Sequence, residues 1–200
     1  MDKKRLETFG DAIIAIVLTI LVLKLPKPET LTIIGFWTLR LNFISYLISF
    51  LIIFNVWYNT HNFFQLVTEV NDLVVWLNGF TLFMLSLLPF FTSFVSLHVY
   101  SLTAEILYGL VLILIHLFYI LTVKAQLEFD KENIKLKNAD FLNKRVNTPV
   151  LIIFAGFIVS FYIYPPGILI SCLLAVLVWI INFRPYKDVI DKWILTDSKH

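Results

Sequence analysis

Glu7 and Asp11 stand four residues apart at the head of an apolar run, RLETFGDAIIAIVLTILVLKLPKP, and so share one face of a helix near its positive end. Two carboxylates at that spacing suit either simple stabilisation by that helix end near the membrane interface or the anchoring of the helix to a neighbour. Arg5 lies six residues before Asp11, too far round for an i, i+4 pair, so Asp11 is expected to find its partner on another helix. Glu105 and His116 are eleven residues apart, on roughly one helical face. At 1.5 Å per residue they are about 16 Å from each other, far beyond proton-transfer contact. No H-E-x-x-H, G-x-S-x-G or glycine-rich phosphate loop occurs. An enzyme is therefore not expected: Glu105 reads as a helix-start carboxylate and His116 as an interhelical hydrogen bonder. Asn55, Asn59 and Asn62, at i, i+4 and i+7, form a polar stripe that would suit the cavity of a secondary transporter or proton-coupled carrier. Interhelical hydrogen bonding is the simpler use of that stripe. The single Cys172 lies in the apolar run ISCLLAVLVW, which excludes an intramolecular disulfide and a cysteine-based metal site. No cofactor or fixed metal is expected, and nothing suggests nucleic acid.

The elements that position these residues are apolar and long. Hydrophobic residues make up 59% of the 200 and charged residues 15%, with a mean hydropathy of +0.84. A water-soluble domain of this size would expose too much apolar surface, so the composition predicts an all-α membrane protein. Six apolar segments are expected to cross the bilayer, at about residues 9–25, 39–58, 73–95, 102–123, 148–164 and 168–183. The first ends at Pro26 and Pro28, the fifth opens at Pro149, and Pro165-Pro166-Gly167 makes a tight turn before the sixth. The basic start Lys3-Lys4-Arg5 is not followed by a small-x-small cleavage site, so the first segment reads as an uncleaved helix. The chain is read as one six-helix domain over 1–200, with a polar loop at about 124–147 and a short tail at about 184–200. Its six glycines and lack of an internal period give no sign of inverted-repeat architecture.

Lys3, Lys4, Arg5, Lys124, Lys131, Lys135, Lys137, Lys144, Arg145, Arg184, Lys187, Lys192 and Lys199 fall on one side of this topology, and only Lys24, Lys27 and Arg40 on the other. That imbalance predicts both termini in the cytoplasm, with Tyr186 and Trp193 as interfacial anchors. The basic loop around residues 135–145 is interrupted by acidic residues, so a solvated face is expected there ahead of contact with lipid head groups.

Within the first segment Ile16, Thr19, Ile20 and Leu23 are spaced i, i+3, i+4 and i+7 and share one stripe, with Ala12 one turn earlier. Spacing alone leaves that stripe open to packing against a neighbour, contact with lipid, or lining a pore. Three motifs narrow the choice. RLETFGD resembles the R-x-x-x-F-S-D signature of the transmembrane protein 175 family of potassium channels, through Arg5, Phe9 and Asp11. WYNTHNFF is similar to that family's second-helix segment through Trp57, Asn59, His61 and Phe64. WLNGFTLFMLSLLPF is similar to its third-helix segment through Trp76, Asn78, Leu87, Pro89 and Phe90. Gly10 stands where the signature has Ser, and Thr60 where bacterial relatives often carry a second His.

The resemblance implies a leak-type potassium channel in the cell membrane, moderately selective, whose first helix lines a central pore. It places the first constriction at Ile16, a hydroxyl layer at Thr19 and further apolar layers at Ile20 and Leu23. It also implies a homotetramer, because eukaryotic relatives carry two six-helix repeats and work as dimers. Arg5, Phe9 and Asp11, with His61 and Asn59 of the second helix, are expected to form a network that anchors the pore helix. The expected partners are thus three further copies of the chain, potassium ions and membrane lipid.

Overall fold

A computed structural model describes residues 2–138 and 144–181. Every regular element among them is an α-helix: α1 (Lys3–Leu23), α2 (Ile33–Thr38), α3 (Arg40–Leu66), α4 (Asp72–Leu97), α5 (Leu102–Phe129), α6 (Ile134–Asn138), α7 (Lys144–Tyr162) and α8 (Gly167–Ile181). The tail from 182 onward, with Tyr186 and Trp193, and the side chains of Lys144 and Arg145 lie outside the described residues.

Local chemistry sets several boundaries beyond the apolar runs. α1 starts well before Phe9 because the Asp2 carboxylate accepts from Lys4 N–H at 3.1 Å, capping the helix so that RLETFGD forms its first turns. α3 continues to Leu66 rather than stopping at Tyr58, and α5 to Phe129 rather than Val123. The polar residues at the end of α3 bond within the helix, Asn59 to Asn55 and Asn62 to Tyr58, while Gln126 near the end of α5 donates to the Glu69 carbonyl of the α3–α4 turn. The short α2 has no counterpart in the apolar pattern. It is started by Thr32, whose hydroxyl accepts from Gly35 N–H at 3.1 Å. A Cβ on Gly35 would lie 2.3 Å from the Thr30 carbonyl oxygen, so the turn closes only around glycine. α7 begins ahead of Pro149, which is carried inside the helix.

α1, α3, α4 and α5 are each long and apolar enough to cross a membrane. The apolar stretches 148–162 and 167–181 are shorter. Among the described residues four helices are thus long and apolar enough to cross a membrane, followed by the apolar pair α7 and α8, the second of which runs to the last described residue.

α4 lies between α1, α3 and α5, and the α7–α8 hairpin closes against α5 and α3. Hydrophobic packing gives little net drive in lipid, so close approach and buried hydrogen bonds do more of the holding. Asn42 donates to Ser96 at 2.9 Å, Thr92 donates to Ser49 at 2.8 Å, and the Ser49 hydroxyl meets the Tyr108 hydroxyl at 2.9 Å. These buried contacts link α3, α4 and α5. α7 and α8 meet at Gly156, where a Cβ would lie 2.6 Å from the Cβ of Ser171. Glu105 does sit in the first turn of α5, but it is fully buried and caps a different helix, accepting from Leu169 N–H of α8 at 2.8 Å. The Ser160 hydroxyl ties the Pro-Pro-Gly turn by donating to the Pro165 carbonyl and accepting from Ile168 N–H at 3.2 Å.

Candidate functional site

The two faces of α1 have different fates. Leu6, Gly10, Ile14, Val17 and Leu21 are buried against α3 and α4. Ile16, Ile20 and Leu23, on the other side, are 58%, 41% and 76% exposed, and Ala12 and Thr19 are exposed with them. Phe9 borders this face and is also exposed. Arg5 stands eleven residues before Ile16, about 20° round the helix from it, and is exposed on the same face. The Thr19 hydroxyl donates to the Ala15 carbonyl at 2.9 Å, which leaves its oxygen lone pairs on the open side.

The edge of α1 facing α3 carries a polar seam. Lys3 Nζ donates to the Val67 carbonyl at 2.7 Å, Glu7 Oε1 lies 3.1 Å from His61 Nδ1, and Trp57 Nε1 donates to Asp11 Oδ1 at 2.9 Å. Lys3, Glu7 and Asp11 occupy successive turns of α1 and meet α3 and its C-cap in antiparallel order. Gln65 Nε2 lies 2.8 Å from His61 Nε2. An amide nitrogen only donates, so a neutral His61 carries its proton on Nδ1, turned toward Glu7. The Glu7–His61 approach is an ion-pair distance without hydrogen-bond alignment. The His61 ring also stacks on Trp57, with centroids 5.6 Å apart and planes 14° from parallel.

A small cavity of about 20 Å³ lies behind the seam, enough for about one water molecule. Glu7, Gly10, Asp11, Trp57, Thr60, His61, Asn78 and Thr81 are among its lining. A Cβ on Gly10 would meet only the Leu82 methyls, at 3.9 Å, an ordinary contact. The loss of the signature Ser therefore reflects no steric demand.

Of the residues expected to anchor α1, the structure brings Asp11 to Trp57 and His61 to Glu7. Asn59 bonds back to Asn55 within α3, while Arg5 and Phe9 face outward. Asn62 likewise donates to the Tyr58 carbonyl at 2.7 Å, and His116 Nδ1 lies 2.8 Å from the Leu112 carbonyl. The interhelical bonds expected of the Asn stripe and of His116 are thus bonds within single helices, because the i−4 carbonyl is the nearest acceptor to a polar side chain in an apolar helix. Sequence reasoning missed Lys3 and Trp57 as partners. The signal for both was spacing: Lys3, Glu7 and Asp11 recur every four residues, as do Trp57 and His61. Among the described residues no three His, Cys, Asp or Glu side chains cluster as a metal site would require.

Residues 5–89 match the family described as the endosomal/lysosomal potassium channel TMEM175. Across 181 residues, 90% of this chain and 94% of the relative, the sequence is 32% identical to a potassium channel of Chryseobacterium sp. (strain P1-3). The chain belongs to the TMEM175 family. It is also 31% identical over 98 residues to a potassium channel of Chamaesiphon minutus, which covers 46% of this chain and 48% of that one. The fold agrees with the crystal structure of a lysosomal potassium-selective channel TMEM175 homolog from Chamaesiphon minutus, at a TM-score of 0.77 and 20% identity over 90% of this chain and 97% of that one. This TMEM175 family member is accordingly a membrane channel protein and not an enzyme.

Proposed function

We propose that this TMEM175 family member conducts potassium selectively through a pore lined by α1 from each of four identical subunits. The observation that carries the reading is the open stripe Ile16, Thr19, Ile20 and Leu23 on a helix whose opposite face is packed and whose first turns are pinned to α3. One such helix cannot enclose a pore, and a closed cyclic homo-oligomer supplies the missing walls. Rings of Ile and Leu narrow enough to exclude bulk water gate by dewetting and make a passing cation shed part of its hydration shell. Potassium holds that shell less tightly than sodium, so its barrier is lower. The Thr19 oxygen, its proton committed to Ala15, offers lone pairs in place of lost water. The resulting selectivity is moderate and the conduction leak-type.

In this arrangement Asp11 and His61 hold the pore helix within a subunit, through Trp57 and Glu7, and Asn59 supports α3 beside them. Arg5 and Phe9, on the open face, reach a neighbouring subunit. The chain forms one six-crossing domain in the cell membrane, with both termini cytoplasmic, a reading supported by the Lys/Arg distribution, and lipid around its outer surface. The carrier alternative has less to stand on, since Asn59 and Asn62 donate within α3, to Asn55 and to the Tyr58 carbonyl.

The test is ion flux from proteoliposomes holding the purified protein, with potassium and then sodium as the permeant cation. Potassium flux above sodium flux, both altered by Ile16→Asn, supports the reading. A folded oligomer that passes neither ion across a range of pH and voltage rejects it.

A further inference from the structure

The turn between α3 and α4 receives side-chain hydrogen bonds from three distant parts of the chain. Lys3 of α1 donates to the Val67 carbonyl at 2.7 Å, Asn133, just before α6, donates to the Leu66 carbonyl at 2.9 Å, and Gln126 of α5 donates to the Glu69 carbonyl at 2.8 Å. Leu66 and its neighbours are the end of α3, where carbonyls lack intrahelical partners and the helix dipole is negative, so an ammonium and an amide N–H are well suited there. Asn133 is itself held. Its Oδ1 accepts from Leu136 N–H at 3.0 Å, and its Nδ2 reaches Asp130 Oδ2 at 2.9 Å, which also accepts from Thr68 of the turn at 2.9 Å. Leu136 is 1% exposed and packs into one apolar cluster with Leu6 of α1 and with Val67.

We infer that Lys3 and Asn133 are positioning residues for conduction, which tie the first turn of α1, through the α3–α4 turn, to the segment that follows α5. A pull on that segment is transmitted to the base of α1 because both ends grip adjacent carbonyls of one short turn. This rests on the reading of α1 as the pore helix. Neither residue lies on the open stripe, so their effect is on how often the pore is open and not on which ion it admits.

Single-channel recording of the full chain in planar bilayers tests the inference. Asn133→Ala and Lys3→Met should each change open probability by about threefold or more. Unit conductance and the potassium-to-sodium permeability ratio should stay at wild-type values, which a general loss of structure would not allow. The double variant should do no more than the stronger single one, because both break the same path, and Lys3→Arg should restore wild-type gating. Folded variants with wild-type gating overturn the inference, as do single effects that simply multiply in the double variant. Should Asn133→Ala fail to fold, Asn133→Asp, which keeps the size and removes the donor, is read in the same way. A wild-type protein that carries no current removes the pore reading and this inference together. A conducting wild type with unaltered variants removes only the link through the turn.

Discussion

The indole nitrogen of Trp57 donates to Asp11 at 2.9 Å, and the same indole stacks on His61, which lies 3.1 Å from Glu7. One aromatic residue of α3 therefore touches the system that holds both acidic turns of α1. Asp11 is exposed on its free side, so the Trp57 bond fixes its direction more than it neutralises it.

Trp57→Phe should keep most of the ring contact with His61 and remove the donor to Asp11. A charge-assisted hydrogen bond of this kind is worth about 1.5–3 kcal/mol, and the partial exposure of Asp11 places the loss near the lower end. Thermal unfolding of the purified protein in detergent should show that decrease. An unchanged midpoint would mean that the seam is held by its other members.

Leu23→Ala and Ile16→Asn act on the open stripe without touching the packed face of α1. Widening or wetting a constriction lowers the barrier for every hydrated cation, so sodium flux should rise more than potassium flux in both. The potassium-to-sodium flux ratio from proteoliposomes is the readout. Stability should stay within about 0.5 kcal/mol of wild type, as expected away from a packed core.

Thr19→Val preserves shape and removes the oxygen. Potassium flux should fall several-fold while the oligomer stays intact, because a dehydrating cation loses its replacement ligand at that layer. Equal flux in the variant would assign the Thr19 hydroxyl wholly to its bond with Ala15.

Gly10→Ser should be accepted and should stabilise the protein by about 0.5 kcal/mol. It exchanges the helix cost of glycine for the smaller one of serine, and the new Cβ meets only Leu82 methyls at 3.9 Å. Gly156→Ala should go the other way. Its Cβ would run into Ser171 at 2.6 Å, forcing α7 from α8 and costing about 1–3 kcal/mol in the same unfolding measurement.

Hydropathy carries the architecture of this chain because a bilayer leaves a long apolar run few choices besides a helix. The starts of α3, α4 and α5 were legible to within a residue, but α1 begins six residues ahead of its apolar run because Asp2 caps it. The ends were less so. α3 and α5 outrun their apolar segments because Asn59, His61, Gln126 and their neighbours find partners in the folded chain, which no hydropathy window registers. The separation of α1 into open and packed faces follows from a period of 3.6 residues, and the exposures of Ile16 and Leu23 against the burial of Ile14 and Val17 follow it closely. Pairing across helices was harder to read. That Asp11 needed a partner outside α1 followed from the distance to Arg5. That the partner is Trp57, with His61 given to Glu7, depends on the vertical offset between two antiparallel helices, which no single-helix periodicity contains. Glu105 shows the same limit, since its acceptor role at α8 joins residues 64 positions apart.

Among the described residues, the directional bonds from α1 to other elements are all at one end. Lys3, Glu7 and Asp11 clamp its base, whereas Val17 and Leu21 hold its upper half by contacts that have no preferred direction. A rod so mounted behaves as a cantilever. Ile16 lies about 7.5 Å above the Asp11 clamp and Leu23 about 18 Å above it, at 1.5 Å per residue. A given tilt about the base therefore displaces Leu23 more than twice as far as Ile16. Of the apolar rings this helix would build, the one at Leu23 is the ring that a small rotation at the base opens first.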